Sequence, residues 1–235
     1  MTATIHPAPA TTHPATAVLP CNMLRWHVAF QGSASRDGWP GAVRLIDAVG
    51  NEVPGAFLEL PEGIWDPTGR ILTVLMHPGR VKRRVGGSSD AVLRVGAHYH
   101  FEVDLEGFGV AYGPGLRTVR STFTAGPRRN QRLDPGRWTV GEPIGGTTKG
   151  LRIRSSGVVD WLSAQHYLHM LGPDDHPLVG EFVEPPGGGL EFVPREPWRA
   201  EMDVRLGWGP RLEDVCGNRP ETAFEAPYAD RGVFP

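Results

Sequence analysis

The stretch VRLIDAVGNEVPGAF at Val43–Phe57 is the strongest indication of the fold, because a stretch with the same pattern, LHMLGPDDHPLVGEF, returns at Leu168–Phe182. Each copy begins with an apolar-alternating segment, passes through a tight polar turn, and leads through a glycine to a phenylalanine. The copies begin 125 residues apart, which is about one domain length. We therefore predict that the chain contains two copies of one β unit.

Short strands dominate the remaining sequence. The 235 residues include 31 glycines and 23 prolines, which interrupt the chain every few residues and favour many short strands joined by turns. Period-two alternation predicts a strand at His98–Asp104 with Tyr99 and Phe101 inward, and another at 22–30 with Trp26 in the core. No stretch keeps a helical period for more than about ten residues. The predicted fold is all-β, with two tandem antiparallel β-sandwich domains.

The sequence also predicts where these domains begin and end. Residues 1–19 are rich in Ala, Thr and Pro and are expected to be disordered. The first domain is predicted at 20–126 and the second at 139–226, with a linker rich in Pro, Arg, Asn and Gly at 127–138. Residues 227–235 are expected to form a tail.

Charge and hydropathy exclude several classes of partner. The formal net charge of −2 gives no overall field that attracts nucleic acid or an anionic membrane. Apolar runs such as Ile71–Met76 are too short to span a bilayer. The N-terminus lacks the basic and apolar regions of a secretory signal, so we expect a cytoplasmic protein. In that compartment Cys21 and Cys216 are expected to be thiols, and a bridge joining the two domains is the less favoured alternative.

Three stretches resemble the tandem bacterial immunoglobulin-like domains that are related to S-layer-protein modules. They are VRLIDAVGNEVPGAFLEL from Val43, WDPTGRILTVLMHPGRVKR from Trp65, and LEDVCGN at Leu212–Asn218. Many such modules end in a Leu-x-Asp-x-Ala-Gly-Asn turn, and Cys216 stands where alanine is usual. In the first domain Leu105–Gly109 is a degraded version of this turn.

The resemblance covers about residues 20–226 and implies two immunoglobulin-like sandwiches. Such modules are mostly spacers or binding units. The resemblance is therefore more informative about the fold than about a chemistry.

Histidines on one predicted strand are the first candidate site. Alternation places His98 and His100 on the same outward face, with Asp104 further along. Such a pair can hold copper or zinc, with His27 as a third ligand if its strand lies alongside. The same residues would form the acid–base cluster of an enzyme. The alternative, which the sequence favours, is the exposed polar face of a half-buried strand.

A basic segment is the second candidate site. Its cations, Arg80, Lys82, Arg83 and Arg84, can bind a carboxylate or phosphate. The alternative is a solvated loop that keeps a sheet edge from pairing with other chains.

Two tryptophans are candidate ligand contacts. Trp39 and Trp161 lie in corresponding segments of the two units, before the second strand of each, and would line a pocket between the domains. The alternative, that each covers its own core, is favoured by the size of the indole ring. His166 and His169 are not expected to share a ligand, because Tyr167–Leu171 has a strand pattern.

Two main functions remain after these arguments, and metal binding without catalysis, through His27, His98 and His100, is a third. The first is a non-catalytic binding or accessory protein that recognises a small acidic ligand or a partner protein, as a monomer or homodimer. The alternative is an enzyme that tailors a small molecule in a biosynthetic pathway, without a cofactor or with a metal. No cofactor is predicted from any motif, and copper or zinc enters only through the histidines.

Overall fold

The computed structural model describes residues 10–32, 34–77, 92–110 and 117–224. The protein is mostly β, with 36 % strand and 7 % helix, and its strands form several small sheets. In chain order the strands are β1 (Ala10–His13), β2 (Val18–Pro20), β3 (Arg25–Phe30), β4 (Val43–Asp47), β5 (Ile64–Trp65), β6 (Ile71–Leu75), β7 (His98–Asp104), β8 (Thr118–Gly126), β9 (Thr139–Val140), β10 (Leu151–Arg154), β11 (Leu168–Leu171), β12 (Gly180–Val183), β13 (Leu190–Pro194) and β14 (Arg205–Trp208).

Two short α-helices interrupt the strands. Among the described residues they are α1 (Trp39–Ala42) and α2 (Trp161–Tyr167), and a 3₁₀ turn covers Pro135–Arg137. Within the described residues no helix is long and apolar enough to cross a membrane.

The chain divides into two compact units. The first contains residues 10–13 and Arg25–Ala125, and the second contains Pro14–Leu24 and the chain from Gly126 onward. The predicted first domain ends at about the same residue. Residues 14–24 belong to the second unit, which differs from the predicted boundary at residue 20.

The first unit packs its aromatic residues between two sheets. One sheet has the order β1-β3-β6-β5, and in the other β4, β7 and β8 are neighbours. Trp26 of β3 stacks on Phe101 of β7 with ring centroids 4.3 Å apart, and Phe123 of β8 lies 5.3 Å from Trp26. Tyr99 and Phe101 are both buried, as alternation predicts.

The second unit has a related strand order. One sheet runs β9-β10-β13-β12, and β11 pairs with β14. Leu151 and Ile153 of β10 point into its core, which also contains Phe192 of β13 and Met170 of β11. This core also contains Trp198, whose indole N–H donates to the Lys149 carbonyl at 2.8 Å.

The two repeated stretches fold into the same hydrogen-bonded turn. The Asp47 N–H donates to the Asn51 carbonyl at 2.8 Å, and the Gly172 N–H donates to the His176 carbonyl at 3.0 Å. Each pair is offset from the other by 125 residues. The left-handed residue of the turn is Gly50 in the first copy, with φ of 90°, and the corresponding residue 175 has φ of 65°.

Each repeated stretch also follows directly on a helix. Helix α1 ends at Ala42 and β4 begins at Val43, whereas α2 ends at Tyr167 and β11 begins at Leu168. Asp160 caps the start of α2, because its side chain accepts the Ser163 N–H at 2.8 Å.

Segments expected to lack structure contain strands and core residues. Ala10–His13 pairs with β3, and Val18–Pro20 is also a strand, so the prediction of disorder over residues 1–19 is corrected there. The predicted linker, 127–138, contributes Leu133 to the second core with 2 % of its surface exposed. The polar, proline-rich composition of these segments gave no sign that they are ordered. They are held by backbone pairing and by a single apolar residue, which composition does not reveal. The predicted tail at 227–235 lies outside the described residues.

Candidate functional site

A cleft of about 630 Å³ opens on the second unit. Strand β10 forms one wall, since Leu151 and Ile153 face the core and leave Arg152 and Arg154 on the exposed face. The other side chains that matter for its chemistry are those of Thr16, Ser155, Trp161 and Glu184.

The two arginines of this wall differ in how they are held. The Arg152 Nε lies 3.8 Å from the Glu191 carboxylate, and its Nη1 is 3.5 Å from the Gly188 carbonyl. The guanidinium of Arg154 is exposed and has neither an ion pair nor a hydrogen bond to any of the described residues. Arg154 is therefore a positive charge that faces the cleft and has no counter-charge among the residues that the structure describes.

Trp161 supplies an apolar surface beside these charges. It occupies the first position of α2, directly after the capping residue Asp160. Asp160 is only 2 % exposed, which fixes the start of the helix. Trp161 itself is half-buried, so part of its ring is available to the cleft. An indole face next to an arginine suits a flat or apolar ligand that carries a negative charge.

Glu184, which also lines the cleft, is hydrogen-bonded to the segment that precedes β2. The Ala15 N–H donates to Glu184 Oε2 at 3.2 Å. This bond positions Thr16, whose side chain also lines the cleft. The segment 14–24 is thus part of the wall of the cleft.

The end of the cleft depends on a glycine. Ser155 donates a hydrogen bond from its hydroxyl to the Gly157 carbonyl. A Cβ atom at Gly157 would lie 2.5 Å from Cζ of Arg129, so only glycine leaves room for that guanidinium. Arg129 in turn contacts the Ser156 hydroxyl at 3.4 Å.

A buried carboxylate holds Arg129 in place. The Asp214 Oδ2 accepts from Arg129 Nε at 3.0 Å and from Asn218 Nδ2 at 2.9 Å, while Oδ1 accepts the Cys216 and Asn218 backbone N–H groups. Asp214 is completely buried. Burial raises the pKa of the Asp214 carboxyl above its ordinary value, and the hydrogen bonds and the charge of Arg129 offset only part of that rise.

The Leu212–Asn218 turn therefore has a structural role. The Val215 N–H donates to the Val158 carbonyl at 3.0 Å, and the Leu24 N–H donates to the Val215 carbonyl at 2.8 Å. The turn thus joins the end of the cleft, at Val158, to the segment 14–24. The turn supports the cleft from behind, and none of its side chains lines the cleft.

Cys21 and Cys216 are both thiols. Both belong to the second unit, so the alternative of a bridge that joins the two domains is wrong. The Cys216 Sγ lies 3.5 Å from Asn22 Oδ1.

The candidate histidines of the first unit are engaged by threonines. His98 Nδ1 lies 2.9 Å from the Thr124 hydroxyl, and His100 Nδ1 lies 3.0 Å from that of Thr122. Both threonines are the cross-strand partners of these histidines on β8. Asp104 shares their face of β7, and its Oδ1 accepts the Glu106 N–H at 3.1 Å.

His27 does not join these histidines. It lies on β3, in the sheet that faces β7, and points away from the layer where Trp26 meets Phe101. His98 and His100 point outward from the opposite side of that layer, so the proposed three-histidine metal site is not assembled. His27 is 2 % exposed and its Nδ1 lies 3.0 Å from the Thr73 hydroxyl. In the part of the chain that the structure describes, no three His, Cys, Asp or Glu side chains are grouped to hold a metal.

The tryptophans predicted as ligand contacts separate into two roles. Trp39 is 2 % exposed, and its indole N–H donates to the Leu60 carbonyl at 2.6 Å, so it covers the first core. Trp161 lines the cleft within the second unit. His166 lies on α2 and His169 on β11, and His166 Nδ1 is 2.7 Å from the Leu162 carbonyl.

The charged residues of the cleft were not predicted from the sequence. Arg152 and Arg154 alternate with buried residues in the segment LRIR, and that pattern was the available signal. Glu184 gave no such signal, because it lies just beyond β12. The basic segment with Arg80, Lys82, Arg83 and Arg84 lies outside the described residues.

Comparison with known proteins gives no family for this chain. No family model matches the sequence, and no curated protein matches it either. The function is therefore argued from the geometry of the cleft.

Proposed function

We propose that this protein binds a small acidic ligand in the cleft of its second unit. The observation that carries the proposal is Arg154, an exposed guanidinium without a counter-charge among the described residues, which faces the cleft that Trp161 lines. The cleft's volume of about 630 Å³ lies in the range typical of small-molecule sites.

The chemistry of the wall favours a carboxylate. A guanidinium presents its N–H groups in a planar fork that matches two carboxylate oxygens. Arg152 and Arg154 are two residues apart on one strand, which separates their Cα atoms by about 7 Å. Arg152 already has Glu191 nearby, so Arg154 is the cation that gains most from a bound anion.

The polar groups around the arginines would set orientation. The Thr16 hydroxyl can donate to a ligand oxygen or accept from a ligand N–H. The indole of Trp161 offers an apolar face next to them. The combination fits a ligand with one acidic group and an apolar or aromatic body.

We further propose that both units are immunoglobulin-like sandwiches that serve as a scaffold for binding. The packing of Trp26 against Phe101 between two sheets of the first unit supports this proposal. The likeness of Leu212–Asn218 to the end turn of such modules supports it in the second unit. A scaffold of this kind does not by itself define a chemistry. A cytoplasmic location, with both cysteines reduced, remains part of the proposal.

The enzyme alternative gains no specific support. Its acid–base cluster included His27 beside His98 and His100, but His27 is buried and lies on the other side of the Trp26–Phe101 layer from them. His98 and His100 are each paired with a threonine. Asp104 is paired with the backbone of the turn that follows it.

Calorimetric titration with benzoate tests the proposal, with neutral benzamide as the matched probe. We expect benzoate to bind and benzamide to bind at least tenfold more weakly, because only the carboxylate forms charge-assisted hydrogen bonds. Arg154→Gln should lower the benzoate affinity roughly tenfold.

Arg195→Gln is the matched control, because Arg195 is an exposed arginine of the same unit that lies outside the cleft. Its benzoate affinity should equal that of the wild type. Equal affinities for benzoate and benzamide, or an Arg154→Gln variant that binds benzoate normally, would contradict the proposal.

A further inference from the structure

We infer that two copies of this chain associate through strand β14, whose outer edge pairs antiparallel with the same edge of the second copy. None of the residues of β14 lines the cleft. The dimer is therefore a property separate from the proposed ligand site, and neither depends on the other.

Strand β14 is the counterpart of β7 but lacks the second neighbour of β7. In the first unit Val43 of the repeated stretch lies opposite Val103 of β7. At the offset of 125 residues, Leu168 lies opposite Trp208 of β14. The other side of β7 pairs with β8 along its whole length. Among the described residues no strand pairs with the other side of β14.

The register shows which backbone groups lie at this open edge. The Gly209 N–H donates to the Tyr167 carbonyl at 2.8 Å. Hydrogen-bonded and non-hydrogen-bonded pairs alternate along an antiparallel ladder, so Gly207 also directs its backbone groups toward β11. The N–H and C=O groups of Leu206 and Trp208 therefore point to the open edge, where no loop of the described chain bonds to them.

Apolar side chains flank these backbone groups. Leu206 packs against the second core but is only partly buried. Trp208 lies on the same face and is 43 % exposed, although the far end of its indole lies near Gly136. The corresponding residues of β7, Phe101 and Val103, are completely buried in the unit that contains β8. The edge of β14 thus exposes apolar surface at the position where β8 lies in the first unit.

The edge lacks the features that usually prevent pairing. Charged side chains, prolines and bulges protect exposed edge strands in most proteins. The segment 206–208 contains none of these. Arg205 points to the other face and forms an ion pair with Asp175. Pro210 follows the strand directly and limits the available edge to about residues 205–209.

This short edge is complementary to itself. If Gly207 of one copy lies opposite Gly207 of the other on a two-fold axis, Leu206 of each copy lies opposite Trp208 of the other. Each such pair exchanges both of its backbone hydrogen bonds and places an indole beside a leucine. The two Arg205 side chains lie at opposite ends of the paired segment, so like charges do not meet.

The glycine at the axis favours a second copy over a strand of another protein. A foreign strand could pair with the backbone groups. A second copy also brings Gly207 against Gly207 in the closely spaced, non-hydrogen-bonded position, and it covers Trp208 in both chains.

Sedimentation velocity of the full chain at increasing concentration tests the inference. We expect monomers to convert to dimers as the concentration rises, because an interface this short associates reversibly. Gly207→Asp should weaken dimerisation at least about tenfold, since it places two carboxylates opposite each other at the axis. Gly207→Lys should have the same effect through two ammonium groups.

A mixture of these two variants distinguishes a lost interface from a lost fold. Equal amounts of Gly207→Asp and Gly207→Lys should form a heterodimer, because opposite charges then meet at the axis. A Cβ atom at Gly207 would lie 3.0 Å from Leu171 Cδ1, the end of a flexible side chain that can move. Trp208→Ala avoids this position and should weaken dimerisation severalfold, because the ring no longer covers Leu206 of the other copy.

Val179→Asp is the matched control at an edge of the other sheet. Val179 is 65 % exposed and directly precedes β12. This variant should dimerise as the wild type does. The inference is overturned if the wild type stays monomeric at every concentration, if the Gly207 variants or Trp208→Ala dimerise normally, or if Val179→Asp abolishes the dimer. A mixture of the two folded Gly207 variants that remains monomeric would also overturn it.

Discussion

The two units build the same turn but present different outer faces. At the offset of 125 residues, Trp26 and Val28 of β3 correspond to Leu151 and Ile153 of β10, and all four are buried. The outward residue between them is His27 in the first unit, which is 2 % exposed. In the second unit Arg152 and Arg154 face the cleft instead. The two strands thus share their pattern of buried residues, and the outward residues of β10 form the site.

Helix length gives a second difference. Each helix begins with tryptophan and ends directly before the repeated stretch, but α1 has 4 residues and α2 has 7. Three more residues move the start of α2 by about 4.5 Å and nearly a full turn. Trp39 therefore lies in the first core, whereas Trp161 reaches the cleft.

The comparison teaches that the site lies where the copies diverge. The repeated hydrogen bonds of the turn stabilise the scaffold and do not depend on the identity of the outward residues. Replacing His27 and Ala29 of the outer face of β3 by two arginines, as in β10, needs no change of the buried residues.

The largest expected effect is the loss of stability when the buried carboxylate of Asp214 is removed from the second unit. Asp214→Ala leaves two side-chain and two backbone donors without their acceptor. We expect the free energy of unfolding to fall by about 3–5 kcal/mol, as for other broken buried ion pairs. Urea denaturation followed by circular dichroism measures this loss.

The matched control is Asp66→Ala in the first unit. Asp66 also accepts backbone N–H groups, at 2.8 Å from Arg70 and 2.7 Å from Ile71, but in a turn that is only partly buried. Its loss should cost about 1 kcal/mol. An equal or larger cost for Asp66→Ala would refute the structural role given to Asp214.

The second prediction separates the two tryptophans. Trp39→Ala should destabilise the protein by about 3 kcal/mol, because it empties a core position. Trp161→Ala should cost about 1 kcal/mol, since the ring is half-exposed, and should weaken benzoate binding severalfold. Thermal unfolding together with calorimetry distinguishes these outcomes. Normal benzoate binding by the Trp161 variant would remove Trp161 from the site.

The third prediction concerns the shared turn. Gly50→Ala should cost about 1–2 kcal/mol, because φ of 90° is strained for a side chain. Asp175→Gly at the equivalent position should instead be neutral or slightly stabilising. Among the described residues its carboxylate forms an ion pair with the exposed Arg205, and surface pairs contribute about 0–1 kcal/mol. Equal costs at both positions, measured by urea denaturation, would break the equivalence of the two turns.

The smallest expected effect is a difference between the pKa values of Asp66 and Asp214. Partial burial acts to raise the pKa of Asp66, but the hydrogen bonds from Thr68, Ile71 and Arg70 outweigh it, and the pKa is lower than usual. Ionised Asp66 therefore stabilises the fold above about pH 3.8, and this contribution is lost as the pH falls through the lowered pKa.

Asp214 should show the opposite sign. Its pKa is raised by burial, so the folded protein takes up this proton before the unfolded chain does. The ionised carboxylate costs folding free energy above its raised pKa, and this cost disappears as the pH falls below the ordinary value. Truncation to alanine differs from protonation, because it removes the acceptor as well as the charge. Carbon NMR of the two carboxyl groups should place the Asp66 midpoint below 3.8 and the Asp214 midpoint above it.

The sequence predicted the inward residues of the strands well and the site poorly. Alternation identified Trp26, Tyr99 and Phe101 because burial imposes a period of two on one face. Alternation does not predict which distant strands pair. His27 would lie near His98 only if β3 were next to β7, and these strands belong to different sheets.

The cleft was harder to predict because its parts are remote in the chain. Thr16 and Trp161 come together only because segment 14–24 folds onto the second unit. Composition suggested disorder for residues 14–19 of that segment, and no local signal indicates the bond from Ala15 to Glu184. Arg154 could have been recognised from the LRIR pattern, but not the cleft around it.

The most direct test of the account is nitrogen–proton correlation NMR of the protein during a benzoate titration. We expect the amide signals of Arg152–Val158 and the indole signal of Trp161 to shift together and saturate, while those of Arg25–Phe30 and Trp39 stay unchanged. Shifts confined to the first unit, or no saturable shift at Arg154 and Trp161, would contradict the claim that the outward residues of the second unit form the binding site.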